Sequence, residues 1–555
     1  MRRRSWFARP QVWAVSSVVV ALVCLFSVGA FACTTILVSP GASVDGSASV
    51  TQTADCGMCT FEIEKVPAKD WPEGSTVEVP FLPQFTGGYQ IHDVMKPTGV
   101  FIPQVKHTYG YIKGIFGMIN EKQVGIGETT TSNRPESKNS NGILDITNLS
   151  MFAMERAASA REAIRVMGDL AVKYGYKDNG EALAVSDPHE VWLFEISGPG
   201  PLWEPGCGEP GAYWVAERVP DGHIASCCNN AVINVIDWDD SENFMYGPGI
   251  KEFAIEKGWY DPSSGEPFSW RKHFCNATRY ATCARRVWRI FSLAAPSLAG
   301  TLNEEDLPFS VPVDKKLSIA DIAAINRDHY EGTPYDATKG IMAGPWGDPR
   351  RKGTIPPIDG ERYAFQRMIA IPGCEYSIIT QSRAYLPDEI GGVLWYAPAN
   401  PDASTYVPVY NSVTKISDSL NTEAGDHHTL TRSSYWWAVS TVSTYADLKY
   451  SYIIKDIQAV RDQYEGFALK TQAAIDAAAL QLYQQDPALA VDFLTDYCNR
   501  NVEAARDAYW ALLDKLMCKY NALTITEDGK ITTPTLPAEW VRMMIKFDSG
   551  DWYKQ

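Results

Sequence analysis

The 555-residue sequence predicts an α+β fold built on antiparallel sheets. Three observations carry that expectation. Short β-rich runs joined by tight turns recur through the first half, stretches of helical periodicity sit among them, and the texture changes to long amphipathic helices after Leu448. In order, residues 34–38 form a β-rich run ending at Ser39-Pro40-Gly41, and residues 48–53 form a second, with Asp45-Gly46 turning between them. Residues 111–119 and 125–129 bracket Asn120-Glu121-Lys122-Gln123 as another strand–turn–strand. Residues 146–172 read as helix, with Leu149, Phe152, Ala153, Ala157, Ala160, Ile164 and Met167 at helical spacing. Residues 182–185 and 191–196 flank Asp187-Pro188-His189-Glu190 as a hairpin, and a second helix covers about residues 279–293. Beyond Leu448, Ile457, Val460, Tyr464, Phe467, Ile475, Ala478 and Leu482 share one helical face. Asp486-Pro487 then reads as an N-cap followed by proline at the first helical position. The helix it opens turns Leu494, Tyr497, Val502, Tyr509, Leu512 and Leu516 inward. Residues 451–522 are therefore expected to be a helical hairpin, a structural appendage on a main unit of residues 33–450. Residues 523–555 form a tail with no assigned role.

Hydrophobic residues make up 45% and charged residues 21%, a globular balance. Fifty Lys and Arg against 66 Asp and Glu leave a net charge of -16, which argues against a nucleic-acid partner. Arg2, Arg3 and Arg4 precede an apolar run over residues 12–28, then Gly29 and Ala30-Phe31-Ala32. Small residues at Ala30 and Ala32 suit a signal peptidase, so residues 1–32 are read as a secretory signal peptide cut after Ala32. The protein is then secreted or extracytoplasmic, in the envelope or periplasm, with no stable membrane insertion after the cut. An uncleaved anchor and a lipoprotein signal are the alternatives. Of the twelve cysteines, Cys24 leaves with the signal and Cys33 becomes the first residue. The other ten are even in number, which permits disulfides without specifying their pairs.

A chain beginning at Cys33 carries a thiol and a free α-amine on one residue. In model peptides these titrate near about 8.5 and about 7.7–8.0, so the amine can take the thiol proton without a separate histidine. Position alone leaves disulfide pairing or packing as the alternative role for Cys33.

The surrounding residues narrow that choice. Cys33-Thr34-Thr35-Ile36-Leu37-Val38 with Gly41-Ala42-Ser43-Val44-Asp45-Gly46-Ser47 opens an ordered series of blocks. Gly117-Met118-Ile119-Asn120-Glu121 with Gly127-Glu128-Thr129-Thr130, Glu155-Arg156-Ala157 with Ala160-Arg161-Glu162-Ala163, and Asp221-Gly222 with Asn229-Asn230-Ala231 follow. Arg285-Arg286-Val287-Trp288-Arg289, Ala295-Pro296-Ser297, Tyr330-Glu331-Gly332-Thr333-Pro334-Tyr335-Asp336 with Gly344-Pro345, and Ile390-Gly391-Gly392-Val393-Leu394-Trp395 complete it. The series resembles the secreted dipeptidase family of cysteine N-terminal nucleophile (Ntn) hydrolases, related to penicillin V acylases and bile salt hydrolases. The resemblance implies a four-layer αββα sandwich and hydrolysis of short peptides through an acyl-enzyme on Cys33, with no cofactor and no metal.

It also implies site residues. Asp55 matches the carboxylate that holds the α-amine, and a carboxylate there favours the protonated amine. Asn229 matches the Asn on the substrate or oxyanion side. Arg286 best matches a late active-site arginine, with Arg285 competing for the role. Glu128 and Thr129 lie where the relatives place an oxyanion donor. In one departure, the relatives usually carry an arginine three residues before the aspartate, where this chain has Gln52, a neutral hydrogen-bond donor. Gln52, Glu128 and Thr129 are accordingly assigned to the substrate side.

Other signals are weaker. Cys56 and Cys59 have C-x-x-C spacing without a second pair, which favours a local disulfide or packing over zinc. His427-His428 are adjacent and lack an H-E-x-x-H frame, and Ser412-Val413-Thr414-Lys415 has no accompanying K-T-G. Three functions remain open: an exported dipeptidase, an amidase or acyltransferase on a non-peptide N-acyl substrate, and an inactive envelope binding protein of the same fold.

Overall fold

Two antiparallel sheets carry the fold of the computed structural model, which describes residues 33–547 apart from 276–279, 354, 362 and 522. The expected signal peptide, residues 1–32, lies outside the described residues, as do Cys24 and the last residues of the tail. The first sheet has seven strands in the order Ser310–Pro312, His223–Cys227, Thr35–Val38, Ser49–Thr53, Tyr376–Gln381, Val393–Pro398 and Val407–Tyr410. The second has eight, in the order Phe244–Tyr246, Tyr213–Arg218, Val191–Ser197, Gly180–Ser186, Gly125–Thr130, Gly117–Asn120, Tyr111–Lys113 and Glu64–Val66. The opening hairpin forms as its sequence predicts, with Leu37 opposite Val50. The hairpin at Asp187-Pro188-His189-Glu190 also forms, and Asp187 Oδ1 accepts the backbone N–H groups of His189 and Glu190 at 2.8 and 3.0 Å.

The sheets face one another. Leu37, Val50 and Ala225 of the first pack with Ala184, Leu193 and Val215 of the second in one buried cluster. Helices Ile146–Arg156 and Ala160–Tyr174 cover the outer face of the second sheet, where Leu149, Ile164 and Met167 meet Leu183, Trp192 and Phe194. Helices Tyr280–Ala294, Ile319–Asn326, Tyr435–Tyr445, Tyr450–Tyr483 and Pro487–Lys519 cover the first sheet, against Ile36, Ile378 and Trp395. Gly127 allows one close approach between the sheets: a Cβ there would lie 2.2 Å from the Thr51 carbonyl oxygen. That approach sets Glu128, the next residue, beside Gln52 of the facing strand.

Three local expectations are corrected. The helix expected over residues 146–172 is two helices, because Asp145 and Ser159 each cap a separate N-terminus and accept the N–H groups of Asn148 and Glu162. Buried alanines at 157 and 160 carry the apolar spacing across the break and hide it. The run 111–119 folds back on itself as Tyr111–Lys113 and Gly117–Asn120, with Ile112 opposite Ile119. In the long helix Tyr450–Tyr483, Phe467 is 59% exposed, while Glu465 and Asp476 are buried. They pair with the largely buried Arg327 and the buried Arg383, so the inward face is partly ionic. In the following helix Leu494, Val502, Tyr509, Leu512 and Leu516 are buried, and Asp486 caps Ala488 with Pro487 at the first position.

Among the described residues, no helix is long and apolar enough to cross a membrane. Cys56 and Cys59 form a disulfide, while Cys207, Cys227, Cys228, Cys275, Cys283, Cys374, Cys498 and Cys518 are free thiols.

Candidate active site

The site is assembled where the first strand of the chain begins. Thr34 bridges to Thr53, its backbone N–H donating to Thr53 Oγ1 at 3.0 Å, and this brings the preceding Cys33 to the segment that leaves the second strand. Cys33 is 4% exposed. It lines a small cavity with Ala54, the Cys56–Cys59 disulfide, Gln84, Ile115, Phe116, Glu128, Thr130 and Tyr376. Burial pushes its thiol well above the usual range, and the negative charges of Glu128 and Asp55 push the same way. In this environment the thiol is protonated and needs a base to become a nucleophile.

Asp55 is buried close enough for its charge to act on the cysteine. Its Oδ2 accepts Thr53 Oγ1 at 2.9 Å and Arg367 Nη2 at 2.7 Å. Its Oδ1 is buried and meets no hydrogen-bond donor. Burial raises the carboxyl above the ordinary range, against the pull of Arg367 and Thr53. Arg367 was not legible as a site residue. It places a guanidinium at Asp55, whereas Gln52, the neutral residue three places earlier, turns elsewhere and donates to Glu128 Oε2 at 2.9 Å. Tyr330, in the most distinctive of the sequence blocks, holds Arg367 in place by donating from its hydroxyl to the Arg367 carbonyl at 2.7 Å.

Arg286 and Asn229 meet on the other side. Arg286 is 1% exposed on the helix Tyr280–Ala294. Its Nη1 donates to the Cys33 carbonyl at 2.9 Å and to Thr34 Oγ1 at 3.0 Å, and its Nη2 to the Cys228 carbonyl at 2.9 Å and Asn229 Oδ1 at 2.7 Å. Five donors in one rigid plane make such a four-way clamp possible. Asn229 has φ 69°, a left-handed conformation that Asn tolerates better than most residues, and its Nδ2 donates to the Thr130 carbonyl at 2.9 Å. Arg285 faces away: it pairs with Glu304 at 2.9 Å and stacks on Tyr335. Of the two arginines, it is therefore Arg286 that reaches the cysteine.

Glu128 is buried, and its oxygens accept Gln52 and, at 3.1 Å, Thr130 Oγ1. Burial raises its carboxyl too, and its charge acts on the Cys33 thiol and on Glu181, a second wholly buried carboxyl whose own pKa is pushed far up by burial and by Glu128. Thr129 is not on the cavity wall. Its hydroxyl donates back to the Glu128 carbonyl at 2.9 Å, and Thr130 faces the cavity instead. The sequence reading did not include Glu181, Gln84 or Tyr376. Tyr376 lies on the cavity wall, wholly buried, with its hydroxyl unpartnered. A lone carboxyl at the head of the apolar run Ala182-Leu183-Ala184-Val185 was the available signal for Glu181.

Of the weaker motifs, the Cys56–Cys59 pair lines the cavity, whereas the histidine pair and the S-x-x-K run do not. His427 hydrogen-bonds Glu375 at 2.7 Å, while His428 donates to the Gly87 carbonyl at 3.0 Å. Lys415 pairs with Asp418 at the surface, and Ser412 is half-buried.

Comparison with known proteins gives a consistent result. The pattern of Peptidase family C69 matches residues 32–463. A probable dipeptidase of Latilactobacillus sakei is 28% identical over 425 residues, which cover 73% of this chain and 79% of that protein. Dipeptidase A of Lactobacillus helveticus is 29% identical over 406 residues, 70% of this chain and 77% of the relative. A dipeptidase of Bifidobacterium longum is 24% identical over 496 residues, 81% and 84% of the two chains.

Proposed function

The chain belongs to peptidase family C69, a family of cysteine peptidases, and on that premise we propose that it is an exported dipeptidase whose nucleophile is Cys33. The observation that carries this reading is a buried cysteine that lines a cavity, its carbonyl held by Arg286, which also grips Asn229, and its thiol within the field of Asp55. The dipeptidase names of the relatives support the substrate class. Two facing sheets with helices on both outer faces support an αββα Ntn-hydrolase sandwich over residues 33–450, to which the helical pair of residues 451–522 is appended.

Cleavage after Ala32 creates the α-amine of Cys33. The neutral amine takes the thiol proton, and the thiolate adds to the peptide carbonyl carbon. The resulting ammonium gives that proton to the leaving amine as the C–N bond breaks, leaving a thioester. Water then adds to the thioester, passing a proton to the amine, and the intermediate collapses to the free acid and the thiol. The unpartnered Oδ1 of Asp55 suits an ammonium that forms and discharges in this cycle. Export and activation are then one event.

The test is the mature N-terminus, read by mass spectrometry, together with hydrolysis of a dipeptide panel beside penicillin V and bile-salt conjugates. A chain beginning at Cys33 that cleaves dipeptides, with Cys33→Ala inactive, is the expected result. A mature chain beginning elsewhere, or a lipidated Cys33, removes the proposed base and ends the mechanism. Preference for the acyl conjugates would instead make the enzyme an amidase.

A further inference from the structure

Beside Cys33 the cavity holds an acidic group without a counter-charge. Glu128 and Thr130 project from the strand Gly125–Thr130, and Glu181 pairs directly across from Thr130 in the neighbouring strand. Glu128 lines the cavity, and its oxygens are met by the neutral donors Gln52 and Thr130. Among the described residues no Lys, Arg or His forms an ion pair with Glu128 or Glu181, although both are buried. Behind Glu128, Glu181 Oε1 accepts Gln84 Nε2 at 3.3 Å and its Oε2 has no donor. Burying a carboxylate is costly unless an opposite charge or strong donors accompany it. Tyr376 also lines the cavity, wholly buried, with an unpartnered hydroxyl. A buried carboxyl with no side-chain cation paired to it among the described residues therefore shares the cavity with the thiol.

We propose that Glu128, backed by Glu181, accepts the free α-ammonium of the substrate residue whose carbonyl Cys33 attacks. The inference rests on the dipeptidase reading. The reach of the substrate is compatible with it. The α-nitrogen of an amino acid lies about 2.5 Å from its own carbonyl carbon, and an acceptor sits about 3 Å beyond that nitrogen. The acceptor thus stands within about 5.5 Å of the attacked carbon, and Glu128 lines the same small cavity as Cys33. An ammonium supplies three donors and the missing charge. An N-acyl substrate supplies one N–H donor and no charge, and leaves a buried carboxylate without a counter-ion. Glu181 acts through Glu128: with a proton on Glu181, its contact with Glu128 becomes a hydrogen bond that fixes the acceptor, so Glu181 is a positioning residue.

The mature enzyme is assayed on a dipeptide, its N-acetyl derivative and its des-amino analogue, in which hydrogen replaces the amine. We expect kcat/KM to fall at least about 100-fold for both analogues, as at sites built to hydrogen-bond a substrate N–H. Glu128→Gln should narrow that gap to within about tenfold. Glu181→Gln, which still offers a donor to Glu128, should keep the gap, and Glu181→Ala should raise KM for the dipeptide with a smaller change in kcat. The rate of Cys33 alkylation by iodoacetamide reports whether each variant retains its site. Binding of the dipeptide and its N-acetyl derivative to Cys33→Ala, by calorimetry, separates recognition from chemistry. Wild-type hydrolysis that is indifferent to the amine overturns the ammonium site and leaves the dipeptidase reading intact. Amine-dependent binding without dipeptide hydrolysis overturns the dipeptidase reading and supports the site. Neither binding nor hydrolysis overturns both.

Discussion

Arg367 donates to Asp55 Oδ2 at 2.7 Å, an ion pair that closes a loop of 312 residues behind the candidate nucleophile. Removing one partner of a buried pair leaves an uncompensated charge, at a cost of about 3–5 kcal/mol. Arg367→Met should therefore lower stability by that order in urea denaturation. It should also act on pH dependence. Arg367 favours ionised Asp55, so its loss raises the Asp55 pKa further, and the acid limb of the rate profile should move to higher pH. An unmoved limb would show that ionised Asp55 is not required.

The site was legible in the sequence where local signals reach. The cleavage pattern and the first block mark Cys33, Asp55 follows within 22 residues, and Asn229 and Arg286 sit in recognisable blocks. Arg367 was not, because the segment before Tyr376 has little regular structure and no spacing to read. Tyr376 was missed for the opposite reason. Its strand is buried at all six positions, so it shows no alternation of polar and apolar residues. In the fold, hairpins with turn residues were plain, whereas alanines concealed the break at Ser159. At Gln52 the chain lacks the charge that the related sequences carry three residues before the aspartate, and Gln52 binds Glu128. The positive charge at Asp55 is present, but it comes from a residue far along the chain.

Glu195 gives the fold a pH dependence of its own. It is buried on the strand Val191–Ser197, its Oε1 accepts the backbone N–H of Val232 at 2.7 Å, and burial pushes its pKa up to about 8. An unfolded Glu loses its proton near about 4.3. Between these values the folded chain binds a proton that the unfolded chain has released, so stability falls as pH rises, by up to about 1.4 kcal/mol per pH unit. Glu195→Gln should remove this slope and gain on the wild type from pH 5 to pH 8. Glu217, pushed to about 8 by burial and by the charge of Glu195, keeps a reduced slope in the variant. Urea midpoints at pH 5, 6.5 and 8 decide the matter, and parallel pH dependences for the two proteins would refute it.

The long helix Tyr450–Tyr483 supplies a paired expectation that inverts its apolar pattern. Glu465 takes Arg327 Nη1 at 3.0 Å, Nη2 at 2.6 Å and the Tyr406 backbone N–H at 2.9 Å, while the same guanidinium also donates to the carbonyls of Pro401 and Ser404. This buried network ties the helix to the loop that precedes the last strand of the first sheet. Glu465→Ala strands both the guanidinium and the Tyr406 N–H, and should cost about 3–5 kcal/mol. Phe467→Ala removes an exposed ring and should change stability by no more than about 0.5 kcal/mol. Hydrophobic patterning alone ranks the two substitutions the other way. Urea denaturation of both variants distinguishes these rankings, and a larger loss at Phe467 would mean that the helix is docked by its apolar stripe rather than by its buried charges.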